Sequence, residues 1–226
     1  MPNGSADGAR WLDVAPERLG GWLESFGQRH GSLDIEPGRA VVTVRAADGA
    51  MAECHVPFPP LASSAIEPAE AADIADRISA HANAERTVGV LLVRLGGYAA
   101  GVFTGPSAHL EASKVGSRLV HGRSAAGGTS QQRFARRREK QASEALGAAA
   151  DTAAAVFGQF AGKLDAVVLG GDRRSIAGLR EDPRLRQYFK LAVDRFLTVP
   201  DPRLAVLRGT PRLFRAVRIR LTEPAA

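Results

Sequence analysis

Residues 121–140 read HGRSAAGGTSQQRFARRREK, the stretch of this sequence whose residue types and spacing say most about chemistry on a polyanion. Gly127 and Gly128 admit backbone angles closed to other residues and let the main chain approach a ligand with no Cβ in the way. Thr129 and Ser130 lead into Gln131 and Gln132, whose amides offer donors and an acceptor without charge. Arg133, Arg136 and Arg137 follow at a spacing of three and four, so on a helix they share one face, with Arg138 to the side. Arginines in the first turns of a helix oppose its macrodipole, a cost that points to a polyanionic partner. Arginine forks bind phosphate bidentately, and a glycine-rich tip beside them suits insertion into folded RNA.

The charge distribution agrees. The chain holds 30 basic and 24 acidic residues. Between Lys114 and Lys140 stand eight basic residues, Lys114, Arg118, Arg123, Arg133, Arg136, Arg137, Arg138 and Lys140, against one acid, Glu139. The remaining 22 basic and 23 acidic residues balance, so one segment carries the whole positive excess. An ordinary solvated helix face would interleave both signs.

Other candidates are weaker. Cys54 is the only cysteine, which excludes an internal disulfide and a multi-cysteine metal site. Cys54-His55 falls in an expected strand with no second ligand cluster beside it and reads as structural. His121 reads as a solvated turn residue. Asp165, Asp172 and Asp182 are too scattered to argue a metal nuclease, and Gly170-Gly171-Asp172-Arg173-Arg174 lacks a phosphate-loop lysine, so it reads as a strand-to-helix connection carrying an RNA-facing arginine pair. No metal or cofactor is expected.

The elements that would position the Gly-Gly…Gln segment follow from periodicity. Leu19, Trp22, Leu23 and Phe26 predict an opening helix over 16–30. Residues 40–45 and 51–58 flank Asp48-Gly49 as a hairpin, and 68–81 reads as a second helix with Pro68 in its first turn. A boundary near 82–87 separates a small N-terminal α+β region, 1–85, from a second domain, 86–226. There, VGVLLV (88–93) reads as a strand covered on both faces, followed by strands over 98–104 and 109–116. Residues 122–130 form a loop, and a long helix over 132–162 presents Ala142, Leu146, Ala149, Ala153, Val156 and Phe160 inward. A strand over 165–169, a helix over 183–198 with Leu185, Phe189, Ala192, Val193 and Phe196 inward, a strand over 205–208 and a terminal strand over 214–222 complete an α/β domain with a mixed sheet. The N-terminus has neither a basic start nor an apolar run, and no stretch approaches the roughly 18 apolar residues of a membrane span. A cytoplasmic protein is expected, and a monomer, since no heptad seam is visible.

The segment Gly128-Thr129-Ser130-Gln131 and the run continuing to Glu139 resemble the Vms-like release-factor (VLRF) family, in its actinobacterial branch, a distant relative of the catalytic domain of eukaryotic class I release factors. The resemblance spans roughly 86–222 by element order and is specific over 127–139. It implies an RNase H-like fold, no cofactor, and hydrolysis of the ester joining a nascent peptide to tRNA on a stalled large ribosomal subunit. The large subunit, its RNA and peptidyl-tRNA are then the partners. Such hydrolysis needs an oriented water and donors aimed at the oxyanion, and no protein nucleophile if RNA supplies the surroundings. Gln131 would position the water or stabilise the oxyanion, Gly127 and Gly128 would shape the loop, and Thr129, Ser130 and Gln132 would be accessory; Gln132 adjoins Gln131 closely enough to leave the register open by one residue. Arg123, Arg133, Arg136, Arg137, Arg138 and Lys140 would contact RNA. Class I release factors have Gly-Gly-Gln in direct succession, whereas Thr129-Ser130 intervene here, so stop-codon termination is not implied. A non-catalytic ribosome- or RNA-binding factor docking through Arg133–Arg138 is the alternative. A peptidyl-tRNA hydrolase acting off the ribosome is less well served, because no protein-supplied base is evident.

Overall fold

The computed structural model describes residues 9–62, 70–94, 96–118 and 130–224, with the backbone alone for 130–138. In chain order the elements are β1 (Arg10–Val14), a 3-10 turn (Pro16–Arg18), α1 (Leu19–His30), β2 (Leu33–Glu36), β3 (Val41–Ala46), β4 (Met51–His55), α2 (Ala71–Ala82), β5 (Thr87–Arg94), β6 (Gly97–Thr104), β7 (His109–Ser117), α3 (Ser130–Gly158), β8 (Ala166–Gly171), α4 (Arg173–Leu179), α5 (Arg186–Phe189), β9 (Ala192–Leu197), α6 (Leu204–Arg208), α7 (Pro211–Phe214) and β10 (Val217–Thr222). They fall into two compact units, one of residues 1–84 with 212–226 and one of residues 85–211.

The first unit is an antiparallel sheet in the order β1-β10-β4-β3-β2 with α1 and α2 on one face. Alternation decides what is buried. Val42, Val44, Ala52, Cys54, Val217, Ile219 and Leu221 point inward against Leu19, Leu23 and Phe26 of α1 and Ile74, Ala75 and Ile78 of α2. The β3–β4 hairpin turns at Asp48-Gly49 as expected: Gly49 takes φ +93°, and the Asp48 carboxylate accepts the Ala50 N–H at 2.9 Å. Asp48 also meets His30 Nδ1 at 2.8 Å, fastening the end of α1 to the hairpin.

Two expectations fail in this unit. The first described element is strand β1, not a helix, and β1 pairs with β10, a partner no local pattern can announce. The terminal strand does alternate apolar and basic residues, but it lies between β1 and β4 rather than in the second domain. Its inward Val217, Ile219 and Leu221 complete the first core, so the region expected to run over 86–226 ends in the fold at residue 211. Helix α2 begins at Ala71; Pro68 lies outside the described residues.

The second unit holds a mixed sheet in the order β7-β6-β5-β8-β9, an antiparallel meander extended by two strands parallel to β5. This is a mixed α/β sheet flanked by helices. Central strands β5 and β8 are buried along nearly their whole length, which is why they read as continuous apolar runs. Helix α3 packs on β6, β7 and β5 through Ala149, Ala153, Val156 and Phe157, and α4 joins it on the same face. Gly89 makes room for Phe157: a Cβ there would stand 3.1 Å from the ring. On the opposite face Leu207 of α6 lies over Gly101, where a Cβ would approach it to 2.9 Å.

Two elements differ from their sequence reading. The expected 183–198 helix is the single turn α5 followed by strand β9, because the chain turns at Leu191, whose N–H donates to Tyr188 O at 3.1 Å, and then pairs with β8. The helical spacing of Leu185, Phe189, Ala192, Val193 and Phe196 therefore spans a bend. Residues 204–208 are helical rather than extended, with the Leu207 N–H on Arg203 O at 2.9 Å. Among the described residues no helix is long and apolar enough to cross a membrane.

Candidate functional site

Helix α3 carries the chemical segment. It starts at Ser130, so the Gln131 backbone belongs to its first turn rather than to the preceding loop, and Gln131 to Arg138 are helical throughout. Gly127, Gly128, Thr129, Arg123 and His121 lie outside the described residues, as do the side chains of Ser130, Gln131, Gln132, Arg133, Arg136, Arg137 and Arg138. The helix has 29 residues, about 43 Å at 1.5 Å each. Its two halves differ. From Glu139 to Glu144 no side chain is buried, and Ala142, expected to face the core, is exposed. The first buried residue is Ala145, and from there Ala149, Ala150, Thr152, Ala153, Val156 and Phe157 hold the helix to the sheet, with Phe157 edge-on to Tyr188 at 5.2 Å. The sheet thus anchors the C-terminal half while the N-terminal half, bearing Gln131 and the arginines, makes no core contact over its described side chains. Lys140 is exposed, and its Nζ meets Glu144 at 4.0 Å, a loose pair that solvent screens.

Strands β5, β7, β8 and β9 all run one way, so they end at one edge of the sheet. The turns there are tightly built. Arg118 N–H donates to Gly96 O at 2.9 Å, and Asp172 N–H to Val93 O at 2.7 Å. Gly171 takes φ +99°, and a Cβ on it would collide with the Val93 carbonyl. Asp172 caps α4, accepting the Arg174 N–H at 3.1 Å and the Ser175 hydroxyl at 2.9 Å. The segment 170–174 is the strand-to-helix connection its composition suggests. Beyond it, Arg173 lays its guanidinium over Phe196 at 4.3 Å from the ring centroid. Sequence spacing gave no signal of that contact, which the β8–β9 pairing creates.

The remaining candidates have structural work. Cys54 is buried in the first core, and His55 is on the other face of β4 beside Trp11, with ring centroids 5.1 Å apart. Asp165 accepts the Thr87 N–H at 2.7 Å, Asp172 is the cap just described, and Asp182 pairs with Arg184 at 2.7 Å. That pairing holds the Asp182 carboxyl below its usual range. Among the described residues no three His, Cys, Asp or Glu side chains cluster to hold a metal.

The chain belongs to the family described as Actinobacteria/chloroflexi VLRF1 release factor, which it matches over residues 86–220, so its role is of the release-factor type in translation. No curated protein matches it. Similar solved structures include an archaeal translation termination factor, aRF1 (14% identity, TM-score 0.43, covering 93% of this chain and 68% of that one). A second is described as the Vms1 mitochondrial localization core (11% identity, TM-score 0.39, covering 83% and 77%). A third is Pelota of Archaeoglobus fulgidus (11% identity, TM-score 0.28, covering 95% and 66%).

Proposed function

We propose that this protein hydrolyses the ester between a nascent peptide and tRNA on large ribosomal subunits stalled in translation, working in the cytoplasm with Gln131 at the reacting carbonyl. The observation that supports this reading most directly is the start of α3 at Ser130, which sets Gln131 in the first turn of a helix whose other end is fixed in the sheet core. In the reaction a water oxygen adds to the ester carbonyl and loses its proton; the C–O bond to the tRNA ribose breaks, and that oxygen leaves as a hydroxyl. The Gln131 amide, with its neutral donors and acceptor, orients the water or donates to the oxyanion, as the surrounding RNA excludes bulk solvent. Gly127 and Gly128 shape the approach, Thr129, Ser130 and Gln132 flank it, and Arg123, Arg133, Arg136, Arg137, Arg138 and Lys140 bind phosphates.

The test is peptide release from tRNA on isolated stalled large subunits. Gln131→Ala should bind as wild type and release at least about 100-fold more slowly, the cost of removing one oriented donor. Arg136→Ala/Arg137→Ala should lose binding first. Release by Gln131→Ala at the wild-type rate would leave the arginine helix as a docking device on a non-catalytic factor.

A further inference from the structure

Outside residues 114–140 the sequence is electrically balanced, yet the fold does not distribute that balance evenly. At the edge where β5, β7, β8 and β9 end, it gathers Arg173 and Arg174 after β8 and Arg203 before α6, and sets them on the same edge as Arg118 of the basic segment, all four exposed. Pro202, next to Arg203, reaches this edge against Gly97, where a Cβ would stand 3.4 Å from the proline ring. None of these four arginines forms an ion pair among the described residues. Of the acids nearby, Asp172 spends its carboxylate on the first turn of α4, and Asp201 is exposed. Arg184 shows the contrast: Asp182 and Asp151 hold it at 2.7 and 2.6 Å.

We infer that Arg173 and Arg174 form a second phosphate contact for folded RNA, continuous with the arginines of α3. The inference rests on the release-factor reading for the identity of the RNA. Helix α4 leaves this edge directly after β8, and it touches α3 where Gly178 of α4 faces Leu146, a Cβ there standing 3.0 Å from Leu146 Cδ1. Measured along each helix axis from that contact, the Arg173 backbone lies about 8 Å and the Arg136 backbone about 15 Å toward the helix N-terminus, distances that one RNA surface can span. The Arg173 guanidinium is already flattened against Phe196, so less side-chain freedom is lost when it takes up a phosphate. A planar fork held in one orientation suits a backbone phosphate, and the shared charge of four exposed arginines suits a polyanion more than a neutral partner.

The experiment titrates the full-length protein onto isolated large ribosomal subunits over a series of salt concentrations. Arg173→Ala/Arg174→Ala should weaken binding about tenfold or more and make the plot of log affinity against log salt shallower by about 1 to 2. Lys163→Ala/Lys190→Ala removes equal charge from exposed positions near the opposite ends of the strands and should change neither quantity beyond the general loss of charge. Arg173→Lys should keep the slope and lose part of the affinity; Phe196→Leu should lose affinity a few-fold at unchanged slope. A double arginine variant that melts like wild type and binds like the lysine control overturns the inference. Peptide release from the same subunits separates the two readings. If wild type binds but releases nothing, the hydrolase reading falls and the contact stands; if Gln131→Ala abolishes release while Arg173→Ala/Arg174→Ala binds with the wild-type slope, the contact alone falls. Failure of wild type to bind subunits overturns both.

Discussion

Cys54 shows how burial removes a reactive residue from the chemistry. Its side chain is 1% exposed, and the apolar surroundings push the thiol up to about 12. The folded protein should resist alkylation at pH 8 and label only as the first unit opens, which iodoacetamide trapping followed by mass spectrometry checks. Because the folded value lies above the unfolded one, the stabilisation is complete below the ordinary thiol range near 8.5 and declines as pH rises toward 12. Asp48 works in the other direction. The Ala50 N–H, and after it His30, hold its carboxyl below the ordinary carboxylate range near 3.9. That contribution is present above pH 4 and is lost as pH falls through the depressed value. Asp48→Asn should therefore unfold at a temperature that changes less between pH 4 and pH 2 than wild type, measured by thermal melts of both proteins. At this same scale the motif from Gly127 to Arg138 was legible because it is local, whereas the Arg173–Phe196 contact was not, since 23 residues of chain separate its partners.

Elements were legible where one period dominates. The α3 repeat, the apolar strands β5 and β8, and the Asp48-Gly49 hairpin each carry a local signal, and each element formed, although α3 ends at Gly158 and leaves Phe160 in the turn that follows instead of on the helix expected to reach 162. Strand β9 did not, because apolar residues on either side of a bend mimicked one helical face; its identity depends on pairing with β8, a tertiary fact. The exposed half of α3 explains why its repeat overreached at Ala142: the pattern continues past the sheet that would bury it. Two substitutions test the anchor. Phe157→Ala removes a fully buried ring from the α3–β5 contact and should cost about 3 to 5 kcal/mol in denaturant unfolding of the second unit. Gly171→Ala demands a left-handed backbone and a clash with Val93, and should cost about 2 kcal/mol or more while disturbing the Asp172 cap beside it.

At the scale of the whole molecule, the second unit is an insertion within the first: the chain leaves the first sheet after β4 and α2 and returns to it only at β10. Strand β1 pairs with β10 along its whole length, and β4 takes the other edge of β10. Removing residues 215–226 should unfold the first unit and spare the second, which amide hydrogen exchange would resolve as lost protection in β3 and β4 with retained protection in β5 and β8. The same connection sets a schedule for the chain during its own synthesis. Residues 85–211 have all been made before Val217 exists, so the second sheet is free to close while the first still lacks β10, the strand that joins β1 to β4. Until then Val42, Val44, Leu19 and Phe26 have no complete core to enter, and the half-built sheet offers an open edge to any neighbouring nascent chain. A protein that we propose rescues stalled ribosomes is, by its topology, one whose first-made sheet stays unfinished until the whole second unit has been read.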